Sequence, residues 1–172
     1  EICACLVGSE MCIRDSDKLE TVIQKSVELG ISHIVPVLTS RCVSRPDAKS
    51  AAKKQARYQK IALQAAMQSR RAIIPDVSEI ITLEKASKML SDFDVAIFFF
   101  EGGGKSLKEI LSSPAKKIAI FTGPEGGFEE REVELLAENG AVVATLGKRI
   151  LRAETAPIVA LAAIMFETGN LE

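Results

Sequence analysis

The sequence is poor in aromatic and imidazole side chains and has no long apolar run. Its 172 residues include no Trp, one Tyr, seven Phe and one His. The core must therefore be aliphatic, built mainly from Ile, Val, Leu and Ala, and the length suffices for one domain with a core of its own. No apolar stretch approaches the ~18 residues that a membrane-spanning helix requires, so no membrane association is expected.

Cysteines are also few, and none has the spacing of a metal site. Cys3, Cys5 and Cys12 fall in the first twelve residues, and Cys42 is the only other cysteine. Neither a zinc site nor a disulfide framework is predicted from this pattern. Free thiols are typical of a reducing compartment, and we expect a cytoplasmic protein that needs no metal.

The first sixteen residues, EICACLVGSEMCIRDS, show neither helical nor strand periodicity. They lack the basic start and the uninterrupted apolar stretch of a signal peptide. The segment CLVGSEMCIRDS is more similar to a translated sequencing adapter than to protein. We therefore predict that residues 1–16 are extraneous to the fold, that the native domain spans 17–172, and that the sequence preceding Asp17 is missing.

Charge is nearly balanced overall, at −1, but it is unevenly distributed. Six Glu and one Arg lie between positions 125 and 138. One acid, Asp47, stands among nine basic residues: Arg41, Arg45, Lys49, Lys53, Lys54, Arg57, Lys60, Arg70 and Arg71. A basic segment of this density suits a polyanion such as nucleic acid. An ordinary solvated helix face would have the same composition.

From Asp17 onward, helical and strand patterns alternate along the chain. Strands are predicted at ISHIVPVLT, DVAIFFF, KIAIFTG and AVVATLG; helices are predicted at KLETVIQKSVELG, 49–70, 80–90, SLKEILSS and EEREVELLAENG, and from Thr155 as N-cap. Pro36 indicates that the first of these strands lies near an edge or ends early. Alternating strands and helices predict an α/β fold with a parallel sheet.

Three predicted strands end in glycine-bearing loops, FFFEGGGK, IFTGPEGGF and TLGKRILRAET. Because ligands bind at the carboxyl ends of parallel strands, these loops predict a small-molecule pocket. The glycines of TGPEGGF permit positive φ and close approach of a ligand. Their spacing matches neither the G-x-G-x-x-G turn nor the P-loop. The alternatives are a plain strand-to-helix turn for TGPEGGF and a flexible connection for EGGGK.

Arg152 and Glu154 stand directly before a helix of Ala, Val, Leu and Ile. Burying charge is costly unless the charge is paired. Either the two side chains pair with each other or with a neighbour, or they line a pocket whose apolar wall is Leu146, Ile150 and Leu151.

The basic helix ends in QAAMQSRR, where Gln68, Ser69 and Arg71 offer polar groups able to bind a base edge or a phosphate. An ordinary polar helix terminus would have the same residues. His33, the only histidine, lies between apolar residues of a short strand. A hydrogen-bonded structural role is favoured for it over catalysis.

Four segments, FTGPEGGF, LGKRILRAETA, AAMQSRR and VIQKSVELGISHIVPVLTSRCV, together resemble the 16S ribosomal RNA uridine-N3 methyltransferases, the ribosomal RNA small subunit methyltransferase E family of the SPOUT superfamily. The resemblance runs in order from about Leu19 to Ala163. It implies a parallel sheet flanked by helices with a C-terminal trefoil knot, the α/β-knot fold, which pattern analysis does not reveal because knots are rare. It also implies an N-terminal PUA-like RNA-binding domain, which is missing from 17–172.

The same resemblance implies the chemistry and the partners. Family members bind S-adenosylmethionine in the knot, act as homodimers and methylate N3 of a uridine in the 16S ribosomal RNA of the small subunit. The cofactor-binding positions correspond to Thr122, Gly123, Pro124, Glu125, Gly126, Gly127, Leu146, Gly147, Ile150, Leu151, Thr155 and Ala156.

Arg152 and Glu154 lie in the family's LR-x-ETA element, and we assign them to catalysis, with Glu154 as candidate base. Gln68, Ser69 and Arg71 match its QS-x-R element and, with Arg41 of the basic segment, are assigned to RNA. One departure is Glu129, a poor helix cap at a position where the family has Ser or Thr.

Three alternatives remain from the sequence. An α/β enzyme that uses NAD is disfavoured by the glycine spacing and by the missing acid ~20 residues after such a turn. Another SPOUT RNA methyltransferase with a different target is the second. The third is a non-catalytic RNA-binding knot protein, although the intact segments GPEGG and LRAETA argue against it.

Overall fold

The structure is a computed structural model of the chain and describes residues 2–7, 16–42, 46–124 and 126–171. The strands are β1 (Ile2–Val7), β2 (His33–Leu38), β3 (Asp76–Val77), β4 (Ile81–Thr82), β5 (Val95–Phe99), β6 (Ile118–Thr122) and β7 (Ala141–Ala144). The helices are α1 (Ser16–Glu28), α2 (Ala48–Gln68), α3 (Leu83–Lys88), α4 (Leu107–Ile110), α5 (Glu130–Glu138) and α6 (Thr155–Glu167), with a 3₁₀ turn at Leu90–Asp92.

The strands form one sheet in the order β3-β2-β1-β6-β5-β7, with β4 also paired to β2. Every pairing is parallel. The predicted α/β fold, a parallel sheet flanked by helices, is therefore confirmed. The carboxyl ends of all these strands lie along the same edge of the sheet, where the loops that follow them meet.

Both faces of the sheet are buried, and successive strand residues alternate between two hydrophobic clusters. Ile97 and Phe99 belong to the cluster that contains the apolar faces of α1, α2 and α6. Ala96 and Phe98 belong to the opposite cluster, which contains residues of α3 and α5. Burial on both faces explains why DVAIFFF is a continuous apolar run rather than an alternating one.

The prediction that residues 1–16 stand outside the fold is wrong for Ile2–Val7. These residues form β1, which pairs with β2 on one side and with β6 on the other. Ser16 already begins α1. A strand in the interior of a parallel sheet needs no period-two alternation. The lack of alternation in residues 2–7 was therefore no evidence against a strand. Residues 8–15 lie outside the described residues, and the extraneous origin of the segment stays a prediction.

Pro36 does not lie at the edge of the sheet, because β2 has β1 on one side and β3 and β4 on the other. The two outer strands are short, however. β3 pairs with His33 and Ile34, and β4 pairs with Val37 and Leu38, so neither reaches Pro36. Pro36, which has no N–H group to donate, therefore lies opposite the gap between the two outer strands. This position is locally equivalent to the edge of a sheet.

Two predicted helix starts need correction. The segment predicted as one helix over 80–90 begins with β4, and α3 starts at Leu83, where the Thr82 hydroxyl accepts a hydrogen bond from the Lys85 N–H at 3.4 Å. Thr155 is the first residue of α6 rather than its N-cap. Glu154 holds the N-cap position without a side-chain hydrogen bond to the helix.

Arg71 joins the C-terminal end of α2 to that of α1. Its guanidinium Nη1 donates to the carbonyl oxygens of Val27 at 2.9 Å and Ile31 at 2.8 Å, and Nη2 donates to that of Gly30 at 3.3 Å. The Val27 carbonyl also accepts the Gly30 N–H at 3.1 Å. Arg71 thus adds a charged donor at the negative end of the α1 dipole. Burial lowers the pKa of the Arg71 guanidinium from its ordinary value, yet the group remains a cation at neutral pH.

The described residues contain neither a membrane-spanning helix nor a cluster of metal ligands. None of the helices in those ranges combines the length and the apolar character needed to cross a membrane. No group of three or more His, Cys, Asp or Glu side chains in the same ranges is arranged to hold a metal ion.

We expect Arg71→Met to lower the free energy of unfolding by about 1–2 kcal/mol, because three helix-terminal carbonyls lose a charged donor. Urea denaturation followed by circular dichroism measures this change. Lys60→Met is the matched control, since Lys60 is exposed on α2, the helix that Arg71 follows. Equal stability of the two variants would contradict the assigned role of Arg71.

Candidate functional site

The loops after β5, β6 and β7 meet at the carboxyl edge of the sheet and enclose a cleft, here called the loop cleft. Its volume is about 820 Å³ when the open solvent at its mouth is included. The lining residues are Phe99, Phe100, Glu101, Gly123, Pro124, Gly127, Phe128, Thr145, Leu146, Gly147, Lys148, Arg149, Ile150, Leu151, Ala153 and Ala156.

The loop after β5, EGGGK, is attached to β7 by backbone hydrogen bonds. Lys105 N–H donates to the Val143 carbonyl at 3.0 Å, and Thr145 N–H donates to the Lys105 carbonyl at 3.2 Å. A Cβ on Gly104 would lie 2.7 Å from the Val143 oxygen. The alternative of a flexible connection is therefore wrong for this end of the loop, since glycine is needed where two backbones touch.

The loop after β6, TGPEGGF, turns sharply between strand and helix. Gly127 has φ +67° and donates its N–H to the Pro124 carbonyl at 2.9 Å. Phe128 is buried, and its ring meets that of Phe98 edge to face, with centroids 5.8 Å apart. Arg41, from the loop after β2, donates a guanidinium hydrogen bond to the Gly126 carbonyl.

A buried carboxylate, Glu132, lies beneath this loop. It is 6% exposed. Its Oε2 accepts the Glu129 N–H at 2.9 Å, and its Oε1 accepts the Ser40 N–H at 2.8 Å. The start of α5 therefore does not need a Ser or Thr hydroxyl at position 129. The carboxylate of Glu129 instead pairs with Arg131 at 2.8 Å. The sequence analysis missed Glu132, although an acid three residues after the N-cap is the signature of a capping box.

The loop after β7 supplies the apolar wall of the loop cleft. The three residues predicted for that wall, Leu146, Ile150 and Leu151, all line it, and Ile150 is 83% exposed. Gly147 has φ +104°, and its N–H donates to the Thr145 hydroxyl at 3.1 Å. The wall is therefore open to contact with an apolar group.

Arg152 and Glu154 follow this wall and form no ion pair with each other among the described residues. Arg152 is exposed, and its carbonyl accepts the N–H groups of Thr155 and Ala156, both at 2.9 Å. Glu154 Oε2 is buried and has no hydrogen-bond partner in the part of the chain that the structure describes. The alternative of a mutual Arg152–Glu154 pair is therefore not found. Neither residue is among those that line the loop cleft, as the other alternative had predicted, although Ala153 between them is.

Eight of the predicted cofactor positions line the loop cleft: Gly123, Pro124, Gly127, Leu146, Gly147, Ile150, Leu151 and Ala156. Thr122, Gly126 and Thr155 are next to lining residues without being among them, and Glu125 lies outside the described residues. The sequence analysis missed Phe99, Phe100 and Glu101, because it assigned no cofactor-binding residue to the loop FFFEGGGK. It also missed Phe128, Thr145, Lys148, Arg149 and Ala153, all within the loops that it had singled out.

The four residues assigned to RNA do not come together. Arg41 contacts the glycine loop beside the loop cleft. Ser69 binds the Ala65 carbonyl at 2.8 Å, and Gln68 is exposed at the end of α2. Arg71 contacts carbonyls that precede β2, which places this end of α2 at the amino edge of the sheet. The RNA role of all four residues stays a prediction.

His33 makes the structural hydrogen bonds that its sequence context favours. Its Nε2 lies 2.7 Å from the Ser78 hydroxyl, and its Nδ1 lies 3.5 Å from Asp76 Oδ2. The order of these groups is that of an acid-histidine-serine triad. None of the three lines the loop cleft, and together they fasten β3 and the residue after it to the start of β2.

Residues 7–165 match the RNA methyltransferase domain family. The chain belongs to this family. Curated relatives named ribosomal RNA small subunit methyltransferase E are 42% identical in Bacillus subtilis, over 90% of this chain and 63% of that protein, and 36% identical in Mesomycoplasma hyopneumoniae, over 88% and 65%. The family predicted from the sequence is thereby confirmed.

A solved relative has the same fold. The ribosomal RNA small subunit methyltransferase E of Neisseria gonorrhoeae, bound to S-adenosyl methionine, superposes with a TM-score of 0.85 at 36% identity. The match covers 96% of this chain and 65% of that one. The chain thus spans about two thirds of the length of the relatives that it matches.

We expect Gly104→Ala to lower the free energy of unfolding by about 1–3 kcal/mol, since a methyl group must displace the backbone of β7. Gly102→Ala is the matched comparison, because the atoms nearest to its Cβ belong to the Phe100 side chain rather than to backbone. Urea denaturation of both variants measures the difference. A loss as large for Gly102→Ala as for Gly104→Ala would show that the contact with β7 is unimportant.

Proposed function

We propose that the chain is the catalytic part of an S-adenosylmethionine-dependent methyltransferase that modifies N3 of a uridine in 16S ribosomal RNA. The observation that carries the proposal is the loop cleft, which TGPEGGF and LGKRILRAET build at the carboxyl edge of a parallel sheet. Identity of up to 42% to proteins named for small-subunit RNA methylation supports the reaction. The cofactor found in the Neisseria gonorrhoeae relative supports the choice of methyl donor.

The lining residues fit S-adenosylmethionine in chemistry. Leu146, Ile150 and Leu151 offer an apolar wall to the adenosyl group, while Gly123 and Gly127 let backbone groups approach a polar one. When bound, S-adenosylmethionine supplies a methyl group already activated by a positively charged sulfur. The protein therefore has mainly to position the reactants.

The target uracil must lose a proton to be methylated, because its N3 is protonated at neutral pH. Glu154 is proposed as the acceptor, since Oε2 has no hydrogen-bond partner among the described residues and Ala153 and Ala156, on either side of Glu154, line the loop cleft. With the cofactor bound as methyl donor, the Glu154 carboxylate would accept the proton that N3 loses on methylation. Arg152 is exposed beside it and would stabilise negative charge on the uracil carbonyl oxygens.

The C-terminal trefoil knot belongs to the same proposal. β7 is the edge strand beside β5, yet α6 packs against α1 and β6. Residues 145–154 must therefore carry the chain back from the edge toward the middle of the sheet. A loop threaded at this point accounts for charged residues at the start of a buried helix, since the same segment lines the loop cleft.

A homodimer that acts on the small ribosomal subunit completes the proposal. Met67, Ile73 and Phe166 are each more than 70% exposed, at or just beyond the C-terminal ends of α2 and α6. Large exposed apolar side chains commonly mark interaction surfaces. The RNA contact of the whole protein would also involve an N-terminal PUA-like domain.

Calorimetric titration of the purified chain with S-adenosylmethionine and, separately, with NAD tests the proposed cofactor. We expect saturable heat from S-adenosylmethionine only, because the glycine spacing of TGPEGGF is not that of a dinucleotide turn. Heat from NAD alone would refute the cofactor assignment. Heat from neither compound would also refute it, provided that circular dichroism shows the chain to be folded.

We expect Glu154→Gln to reduce methyl transfer at least a hundredfold while S-adenosylmethionine affinity stays within about threefold, because proton transfer contributes 10²–10⁴ in rate. The assay follows labelled methyl groups into unmodified small-subunit RNA. Glu167→Gln, an exposed acid on the same helix, is the control. Normal turnover by Glu154→Gln would eliminate it as the base.

A further inference from the structure

The carboxylate of Glu132 joins two segments that are far apart in the sequence. The N–H groups of Glu129 and Ser40 each donate to one of its two oxygens, at 2.9 and 2.8 Å. Ser40 and Glu132 are 92 residues apart. A buried carboxylate requires such donors, because it loses the hydration that would otherwise stabilise its charge. Backbone N–H groups rather than cations supply these two bonds.

The bond to Ser40 does nothing for the start of α5. A helix cap needs only the bond to Glu129, which closes the first turn. Ser40 instead belongs to the loop after β2, and its neighbour Arg41 donates to the Gly126 carbonyl of the glycine loop. A role beyond capping must therefore explain why the second oxygen of Glu132 reaches this other loop.

The contacts form a closed ring around the glycine loop. From Glu132 the ring runs through the Ser40 N–H to Arg41, from Arg41 to Gly126, and along the chain through Phe128 and Glu129 back to Glu132. The segment between Gly126 and Glu129 is thereby held at Glu129 by the Glu132 carboxylate directly, and at Gly126 by Arg41, the neighbour of Ser40. Gly127 and Phe128 within it line the loop cleft.

We propose that Glu132 is a positioning residue for the cofactor, which fixes the glycine loop in its binding shape by holding Arg41 against Gly126. The inference rests on the proposed binding of S-adenosylmethionine in the loop cleft. Glu132 itself does not line that cleft. It acts through the carbonyl of Gly126 and the backbone of Gly127, which has a φ of +67° that glycine adopts without a steric penalty.

Glu132→Gln is the decisive variant, because an amide replaces one acceptor oxygen by a donor that faces a backbone N–H. We expect its Kd for S-adenosylmethionine, measured by calorimetry, to rise about tenfold or more. Glu134→Gln removes the same charge from an exposed position of the same helix and serves as the control. It is expected to keep the wild-type Kd within about twofold.

A double-mutant cycle with Arg41→Ala separates positioning from a general loss of stability. If Glu132 acts through Arg41, Glu132→Gln in the Arg41→Ala background raises Kd by less than about threefold further. Fully additive effects on Kd would mean that Glu132 and Arg41 act independently, which would overturn the inference.

Amide hydrogen exchange without any cofactor provides the independent readout. We expect Glu132→Gln to speed exchange at 40–41 and 126–128 together, while α6 and the Glu134→Gln variant keep wild-type rates. If the wild-type chain binds no S-adenosylmethionine, the proposed cofactor falls, and the exchange rates alone decide the coupling of the two loops. If the wild-type chain binds and Glu132→Gln matches it in Kd and in exchange, the inference on Glu132 falls while the proposed cofactor stands.

Discussion

Burial of the sheet on both faces is the constraint on which the rest of this structure depends. Because helices cover each side, β5 and β6 consist almost wholly of apolar residues and have no room for polar chemistry. Polar and charged groups are thereby displaced to the loops at the carboxyl edge. The loop cleft lies there because the strands cannot accommodate it, and its residues come from three loops that are distant in the sequence.

Those loops are held in place mainly by backbone contacts. EGGGK is hydrogen-bonded to β7, with Gly104 flush against its backbone. TGPEGGF closes on itself through Pro124 and Gly127 and rests on the buried ring of Phe128. The shape of the loop cleft is thus specified by glycines and main-chain bonds. The side chains at its mouth, such as Lys148 and Arg149, are left exposed and available to a substrate.

The sequence was sufficient to predict those features that depend on local pattern. Strand-helix alternation predicted the parallel sheet, and the glycine loops predicted the edge where Gly123, Gly127 and Leu146 meet. Features that depend on contacts between distant segments were not predictable from one chain. In the sequence, Arg71 looks like an ordinary polar residue at a helix end, and only the structure shows that it binds the carbonyl of Ile31. Glu132 is likewise one of six glutamates in its segment, and only the structure shows its bond to Ser40.

The same limit explains the error over β1. ICACLV has no alternation, and only the position between β2 and β6 shows why none is needed. The prediction that Pro36 lies near the edge of the sheet also failed, because two short outer strands leave a gap opposite it that cannot be predicted from the sequence. In both places the environment of the strand, rather than its own residues, decides which side chains are tolerated.

The position of β1 also sets a length that other side chains must match. β2 and β6 are second neighbours, so their backbones run about 9–10 Å apart, twice the spacing of adjacent strands. Two side chains cross that width. The Arg41 guanidinium, in the loop after β2, donates to the Gly126 carbonyl, and the Glu132 carboxylate, in the helix after β6, accepts the Ser40 N–H. A long side chain is needed on each side of the gap, and a serine or an aspartate in either place would be too short to close it.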